Sequence, residues 1–196
     1  MRCDWRRALP VLHGDGFTMR EVARADAPSL VETTSSPDVN RFITPPPDTR
    51  EGFEQFIDWA QARRRDGLFA CFAIVPAGST ALVGVFQVHR DQVSGDTAEW
   101  GFVLGARTWG SGLFMRGAHR VIDFAFEDMG LRRLEARAAV ANVRGNGALS
   151  KIGAIQEGVV KNGLIRHGER LDQNIWTIVD RDWQRSKAVW GPKIAA

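Results

Sequence analysis

The hydrophobic and polar positions of the chain follow two periods, one typical of β-strands and the other of α-helices. Runs typical of strands lie at residues 17–22, 69–75, 81–88, 98–104, 134–140, 154–160 and 171–179. Helical spacing begins at residues 27, 49 and 113, and a loop with a short helix is expected between residues 142 and 153. Because the two kinds of element are interspersed along the chain, the pattern predicts an α/β (α+β) fold.

The segments between these runs predict how the strands pair. Residues 76–79, Pro-Ala-Gly-Ser, separate two runs and predict an antiparallel hairpin. Strand 98–104 is followed by a glycine turn, a helix that ends at Gly130 and strand 134–140, which predicts a parallel pair joined by a crossover helix. The last two runs predict a closing hairpin around the polar residues 161–170.

Polar residues and prolines predict where the first helices begin and end. Asp26 is expected to cap the helix that begins at Ala27, and Thr49 is expected to cap the next one. Residues 35–47 contain three consecutive prolines and are expected to form a loop. The arginines at residues 63–65, followed by Gly67, are typical of a helix end.

Composition restricts the class of protein further. The chain has 196 residues, of which 44% are hydrophobic and 25% charged, so we expect one domain over residues 1–196 with its core at about 17–183. The formal net charge of +3 does not favour nucleic acid as a partner. Two cysteines do not suggest a disulfide framework, and no apolar stretch approaches the length of a membrane span. We therefore expect a cytoplasmic protein without a membrane partner.

The glycine turn between strand and helix is the clearest candidate for chemistry. Gly110 and Gly112 would let backbone amides approach an anion at the positive end of the helix, although tight packing without a ligand explains such glycines equally well. A dinucleotide fingerprint would need glycine at Met115, and Ser111 lacks the spacing of a hydrolase elbow. No Walker sequence occurs. The four histidines, His13, His89, His119 and His167, show no metal-ligand spacing, so no metal is predicted.

Longer motifs resemble a known family from about residue 17 to residue 183. They are Ala98-Glu99-Trp100-Gly101-Phe102-Val103-Leu104, Trp109-Gly110-Ser111-Gly112, the segments at residues 126–136 and 151–158, and Asn142. In their order and spacing they resemble the GNAT superfamily of N-acetyltransferases, closest to the branch that includes the ribosomal-protein alanine N-acetyltransferases. The resemblance implies a mixed, mostly antiparallel sheet with helices on both faces and a central parallel pair that splays to hold acetyl-CoA, the co-substrate.

The resemblance also implies which residues hold acetyl-CoA. The family turn Q/R-x-x-G-x-G/A fits residues 107–112, whereas the branch pattern W-G-x-G places the central glycine at Gly112 and Phe114 where a small residue is usual. The backbone of one strand would bond the pantetheine arm. The expected contacts are Phe102, Val103, Leu104, Trp109, Gly110, Ser111, Gly112, Leu113, Phe114, Asn142 and Asn146. For both asparagines a plain helix-capping role is the alternative.

The catalytic residues are less clearly marked. Glu99 projects from its strand and is the candidate general base, acting through water, while an ion pair with Arg137 is the alternative reading. Relatives place a tyrosine acid where this chain has Leu149, and the chain contains no tyrosine. The acid is left open between Ser111, a water molecule and direct pickup of the proton by the leaving thiolate.

The acceptor is expected to be a primary amine. At pH 7 about one in seven α-amino groups is neutral, against roughly one in 2500 lysine side chains. An acetyl-CoA-dependent N-acetyltransferase acting on a protein N-terminus is therefore the first hypothesis. A small-molecule amine acetyltransferase and a non-catalytic acyl-CoA-binding module are the alternatives, and a homodimer is left open. Specificity is expected in residues 40–47, the helix from Thr49 and residues 161–170.

Overall fold

The computed structural model describes residues 4–194, with the side chains of residues 4–187. Its strands are β1 (Leu12–Gly14), β2 (Phe17–Glu21), β3 (Phe69–Pro76), β4 (Gly84–Arg90), β5 (Thr97–Leu104), β6 (Arg133–Ala139), β7 (Ile155–Arg166) and β8 (Glu169–Val179). Its helices are α1 (Ala27–Ser35), α2 (Pro37–Asn40), α3 (Arg50–Arg65), α4 (Leu113–Glu127), α5 (Val143–Lys151) and α6 (Asp180–Ile194).

The strands form one eight-stranded mixed sheet. Its order is β1-β2-β3-β4-β5-β6-β8-β7, and neighbouring strands are antiparallel except for β5 and β6. These two strands are parallel and are joined by α4, as the glycine turn and the crossover pattern predicted. The predicted α/β class with a mostly antiparallel sheet is thus confirmed.

Two hydrophobic cores cover the two faces of the sheet. β3 is buried on both sides, which explains its continuous apolar run. Alternate side chains of β3 point to opposite faces, so Phe72 and Ile74 pack in the core beneath α4, whereas Cys71 and Ala73 pack in the core beneath α1 and α3. The helices therefore lie on both faces, and the middle of the sheet is accessible where strands separate.

The separation occurs between β5 and β6. Their parallel pairing covers Thr97 to Glu99 on β5 and ends at the pair of Glu99 with Glu135. Beyond that point β6 stays paired with β8 as far as Ala139, while β5 stays paired with β4 as far as Leu104. The two strands consequently diverge, and the predicted splay is present in the fold.

Several local predictions are wrong. Residues 37–40 form the short helix α2 within the segment expected to be a loop, with proline at its first position. β4 begins at Gly84 rather than at residue 81. Residues 161–170 are mostly strand, because β7 and β8 continue pairing past irregularities in their register to a tight turn.

The two predicted helix caps have different outcomes. The Thr49 hydroxyl accepts a hydrogen bond from the Gly52 amide at 3.0 Å, which confirms that cap. Asp26 occupies the cap position of α1, but its carboxylate makes no capping bond there. Instead it accepts hydrogen bonds from Arg20 at 2.7 and 2.8 Å and from the Ala23 amide at 2.8 Å. A bidentate bond to a guanidinium outcompetes the helix amides for this carboxylate.

No helix within residues 4–194 is long and apolar enough to cross a membrane. Of the two cysteines, Cys71 is a buried free thiol, and Cys3 lies outside the described residues.

Candidate active site between the separated strands

A cavity of about 380 Å³ passes through the gap between β5 and β6. Trp100, Gly101, Phe102 and Val103 line it from β5, and Ala136, Arg137 and Ala138 line it from β6. Asn142, Gly145 and Leu149 of the α5 region border one end. Side chains of α1, α3 and the loop at residues 42–47 border the other. The lining residues thus come from both faces of the sheet, so two molecules could enter the cavity from opposite sides.

The glycine turn lies at the start of α4, directly after the end of β5. Gly110 and Gly112 both have positive φ, 77° and 78°, which explains the choice of glycine at both positions. The Trp109 indole donates a hydrogen bond to the Leu104 carbonyl at 3.0 Å and so ties the turn to β5. The Ser111 hydroxyl donates to Thr108 and accepts from the Leu113 amide at 3.3 Å. The helix itself provides no acceptors for the other amides of its first turn, which leaves them available to an anion.

Arginines add positive charge to this turn. The Arg144 guanidinium of α5 lies over the Trp109 ring, 3.7 Å from its centroid, and Arg116 donates to the Ser111 carbonyl at 3.2 Å. Charge near a turn with exposed amides favours a pyrophosphate group. Sequence reasoning missed Arg144, since nothing in its local sequence places it against Trp109.

Phe114 departs from the family pattern for a packing reason. Its ring lies 4.4 Å from the ring of Phe102 and 6.2 Å from that of Phe86, measured between centroids. The side chain therefore extends α4 into the core above β4 and β5. The Phe114 amide, at the start of the helix, is independent of that packing.

Asn142 has the geometry of a helix cap and also borders the cavity. Its Oδ1 accepts a hydrogen bond from the Gly145 amide at 2.9 Å. A Cβ atom at residue 145 would lie 2.5 Å from the Asn142 Nδ2, so glycine is required for this side-chain position. The Asn142 side chain thus caps α5, in agreement with the alternative reading.

The side chain of Asn146 makes hydrogen bonds to β6, to β8 and to the cap residue of α5. Its Nδ2 donates to the carbonyls of Ala139 and Asn142 at 2.9 and 2.8 Å. Its Oδ1 accepts from Asn174 at 2.9 Å and from the Trp176 indole at 2.8 Å. These bonds tie α5 to β6 and β8, and they engage the amide at both ends.

Glu99 lies at the last paired position of β5, immediately before the gap. Its side chain is 56% exposed and does not line the cavity, whereas Arg137, 3.7 Å away, does. The ion pair named as the alternative reading is therefore present. Glu99 is one residue removed from the cavity wall, which fits action through a water, and its role as base stays a prediction.

Gln87 was missed by sequence reasoning. It lies on β4 opposite Gly101 and borders the cavity on the face of α1 and α3. Burial raises the pKa of the neighbouring Cys71 thiol well above its usual range, and a hydrogen bond from Gln87 opposes that shift only in part. The thiol is thus neutral, and Gln87 brings an uncharged amide to the cavity. Its signal in the sequence is a single polar residue among the apolar residues 85–88.

The remaining walls on the acceptor side come from distant segments. They are formed by Leu30, Thr33, Thr34, Phe53, Phe56 and residues 42–47. The loop and the helix from Thr49 were among the segments expected to determine specificity. Residues 161–170 do not border the cavity, although Arg166 donates to the Asn40 carbonyl beside it at 3.1 Å. Within the described part of the chain, no group of three His, Cys, Asp or Glu side chains could hold a metal ion.

Comparison with known proteins identifies the class to which this fold and cavity belong. Residues 17–155 match the model of the acetyltransferase (GNAT) domain, so the chain belongs to the GNAT acetyltransferases and is an acyltransferase. Members of this family use acetyl-CoA. The match covers both separated strands, the glycine turn and Asn142.

Solved structures share the fold at low sequence identity. The ribosomal-protein-S5-alanine acetyltransferase from Vibrio fischeri is 18% identical with a TM-score of 0.80, covering 89% of this chain and 98% of that one. RimJ of Mycobacterium smegmatis, in complex with CoA-disulfide, is 18% identical with a TM-score of 0.82, covering 97% and 98%. A chimera of the spermidine N-acetyltransferase SpeG from Vibrio cholerae and hSSAT is 16% identical with a TM-score of 0.76, covering 86% and 98%.

Proposed function

We propose that this GNAT acetyltransferase transfers the acetyl group of acetyl-CoA to the α-amino group of a polypeptide N-terminus. The observation that carries the proposal is the cavity between β5 and β6, whose lining residues come from both faces of the sheet. The glycine turn does not line the cavity but follows directly on β5, the strand that forms one of its walls. The fold is shared with a ribosomal-protein-S5-alanine acetyltransferase, whose name specifies a protein acceptor. We also propose the cytoplasm as its location and residues 1–196 as a single domain.

The residues at the turn fit the co-substrate. The amides of Gly110, Gly112 and Phe114, with the charge of Arg144 and Arg116 nearby, suit the pyrophosphate. Alternation along β5 directs the backbone N–H and C=O of Val103 to β4 and those of Phe102 to the gap beyond the last paired position, where they suit the amides of the pantetheine arm. In this arrangement the thioester reaches the gap between the strands.

Transfer then needs a neutral amine and a route for one proton. The lone pair of the amine attacks the thioester carbonyl carbon, and a backbone amide near Val103 or Leu104 stabilises the oxyanion. Collapse breaks the carbon–sulfur bond, and the thiolate takes up a proton. Glu99 receives the proton of the amine through water, which its position beside the gap permits.

Two alternatives differ from this proposal in a measurable way. A small-molecule amine acetyltransferase would use the same turn and gap with a different acceptor. Three departures from the family pattern motivate the second alternative, an acyl-CoA-binding module without turnover. They are Phe114 in place of a small residue, Gly145 where the family commonly has serine, and Leu149 where relatives place a tyrosine.

The experiment is to measure thiol release from acetyl-CoA with a panel of acceptors. The panel contains short peptides with different N-terminal residues, the same peptides blocked at the α-amine, free amino acids and polyamines. We expect turnover with peptides that have a free α-amine and none with their blocked counterparts. Turnover limited to small amines supports the first alternative, and acetyl-CoA binding without turnover for any amine supports the second.

A further inference from the structure

The walls of the cavity carry an uneven distribution of charge. Of the side chains that line it, all within residues 4–187, Arg137 is the one that is charged. The polar lining side chains Thr33, Thr34, Thr44, Gln87 and Asn142 are neutral, and the rest are apolar. An acceptor therefore meets positive charge and no carboxylate on the cavity wall.

Neighbouring carboxylates neutralise Arg137 only weakly. Glu99 is 3.7 Å away, beyond hydrogen-bond distance, and both side chains are about half exposed. The attraction in such an exposed ion pair is weak, because water screens the two charges. Glu135, on the same face of β6, instead accepts a hydrogen bond from Arg133 at 2.8 Å. Glu157 pairs with Arg133 as well. Within the described residues, the guanidinium of Arg137 thus has no carboxylate at hydrogen-bond distance to offset its charge at the cavity wall.

We propose that Arg137 is a specificity-determining residue that excludes polycationic amines and hydrogen bonds to the carbonyl oxygen beside an α-amine. This inference rests on the proposed N-acetyltransferase activity and specifies its substrate class. A polyamine brings a second ammonium group within a few ångströms of its reacting nitrogen, and that charge is repelled by a guanidinium on the wall. A peptide N-terminus brings a carbonyl oxygen instead, which a guanidinium nitrogen binds as donor.

The same charge selects the protonation state of the acceptor. A positive group nearby disfavours the ammonium form of a bound amine and so favours the neutral, nucleophilic form. The charged or titratable groups on this side of the sheet are Arg137 on β6, Glu99 on β5, His89 on β4 and Cys71 on β3. Glu135 on β6 lies opposite Glu99 but pairs with Arg133, as does Glu157 on β7. Gln87, the polar side chain opposite Gly101, offers a neutral hydrogen-bond partner that leaves the charge of the amine unchanged.

The fold alone does not decide between these acceptors. Ribosomal-protein and spermidine acetyltransferases both align with this chain at TM-scores of 0.80 and 0.76. Because the backbone is shared, the choice of acceptor depends on side chains at the cavity. Arg137 is the side chain there whose charge distinguishes a polycation from a peptide.

The test compares the tripeptide Ala-Gly-Gly with spermidine as acceptors for the wild-type protein and the Arg137→Gln variant. We expect the wild type to prefer the tripeptide in kcat/KM. In Arg137→Gln the ratio of the two kcat/KM values should shift toward spermidine by about tenfold or more, the effect of removing one nearby like charge. Because both amines would use the same base, the ratio cancels any effect of the substitution on Glu99.

Two further variants serve as controls. Arg137→Lys keeps the positive charge and should keep the preference against spermidine, while losing the planar donor pair for the carbonyl. Arg132→Gln removes the same charge from an exposed arginine that pairs with Asp180 away from the cavity, and it should leave the ratio unchanged. Melting temperature and acetyl-CoA affinity are measured for every variant.

Calorimetric binding of the two amines to the complex with CoA separates this inference from the proposed function. If the wild type transfers no acetyl group but binds the tripeptide more tightly than spermidine, the result contradicts the proposed function and not the inference about Arg137. In that case Arg137→Gln must shift the binding preference toward spermidine. A ratio that stays unchanged in a stable Arg137→Gln variant overturns the inference. So does a wild-type complex that binds spermidine as well as the tripeptide, or that binds neither.

Discussion

Glu99 and Gly101 lie two positions apart on one face of β5, on either side of the point where β5 leaves β6. Glu99 is the last residue with a partner across the parallel pair, and Gly101 is the first on that face to border the cavity. Glu99 thus brings a carboxylate to the edge of the gap, and Gly101 leaves open space inside it. Substitutions at these two positions test the base and the acceptor side separately.

We expect Glu99→Gln to lower turnover by about 10²-fold or more, the usual effect of losing a positioned base. The amide keeps the shape of the side chain, so acetyl-CoA affinity and melting temperature should change little. Part of the rate should return at high pH, because a larger fraction of the amine is then neutral without help. Steady-state rates between pH 6 and 10, with matched melting curves, check this.

Because Glu99 is exposed, its substitution should not disturb the fold, so unchanged turnover in the variant would be evidence against its role as base. If a stable Glu99→Gln variant retains wild-type turnover, the carboxylate serves only the ion pair with Arg137. Loss of the amine proton directly to solvent would then be the better account.

The second prediction concerns the open space at Gly101. A Cβ atom built there meets no atom within 4 Å, although the residue borders the cavity. The Cβ of Gly101→Val therefore has room on β5, and its methyl groups would fill part of the acceptor side. We expect KM for the acceptor to rise about tenfold or more, as for an unwanted group in a fitted pocket. Acetyl-CoA affinity and melting temperature should be preserved.

Gly158→Val is the matched control, because a Cβ at this strand glycine of β7 also meets open space and lies away from the cavity. An equal rise in KM for both variants would show that the effect does not come from the cavity.

Among the elements, the turn before α4 must satisfy two requirements, one on its backbone conformation and one on its amide groups. Its backbone needs a left-handed conformation at Gly110 and Gly112, and its amides need to stay open for an anion. The Trp109 indole and the Ser111 hydroxyl hold the turn by hydrogen bonds within the chain itself.

Substitution of Gly112 separates ligand binding from helix stability. Gly112→Asp and Gly112→Asn have almost the same size and share the cost of a positive φ, about 1 kcal/mol. An aspartate at the start of a helix stabilises it. The same charge repels a pyrophosphate. We therefore expect Gly112→Asp to be at least as stable as Gly112→Asn but to bind acetyl-CoA about tenfold or more weakly.

Thermal melting and calorimetric titration of the two Gly112 variants check this prediction. Equal acetyl-CoA affinities in two folded variants would place the pyrophosphate away from the start of α4.

At the scale of the whole molecule, a ligand bound in the gap contacts both sides of a sheet whose strands separate there. Such a ligand binds the folded state and not the unfolded chain, so it stabilises the fold by mass action. At 100 times its Kd, acetyl-CoA should add about 2.7 kcal/mol. For a chain of this size that corresponds to a rise in melting temperature of roughly 5–10 °C.

NAD is the matched negative control, because it also carries a pyrophosphate and an adenosine but lacks the pantetheine arm. Differential scanning fluorimetry should show a shift with acetyl-CoA and little with NAD. Equal shifts would mean that the turn recognises pyrophosphate alone and that the gap does not hold the arm.

The elements of this protein were largely predictable because their signals are local. The continuous apolar run of β3, the turn glycines before α4 and the Thr49 cap depend on a few neighbouring residues each. The predictions failed where a distant partner decided the outcome. Asp26 accepts hydrogen bonds from Arg20 and not from the helix amides. Residues 161–170 extend two strands because β7 and β8 pair with each other.

The pattern of residues was enough to predict the order of β2 to β8 and of α1, α3, α4 and α5, the glycine turn and, through the spacing of its motifs, the family. It did not predict β1, α2 or α6. The residues that surround the gap could be identified only from the folded chain. Gln87, Arg137 and the loop at residues 42–47 are far apart in the chain and carry no common local pattern. They meet because β6 stays paired with β8 while β5 stays paired with β4, which opens the gap between β5 and β6. Which distant strands pair depends on packing across the whole sheet and not on the local sequence.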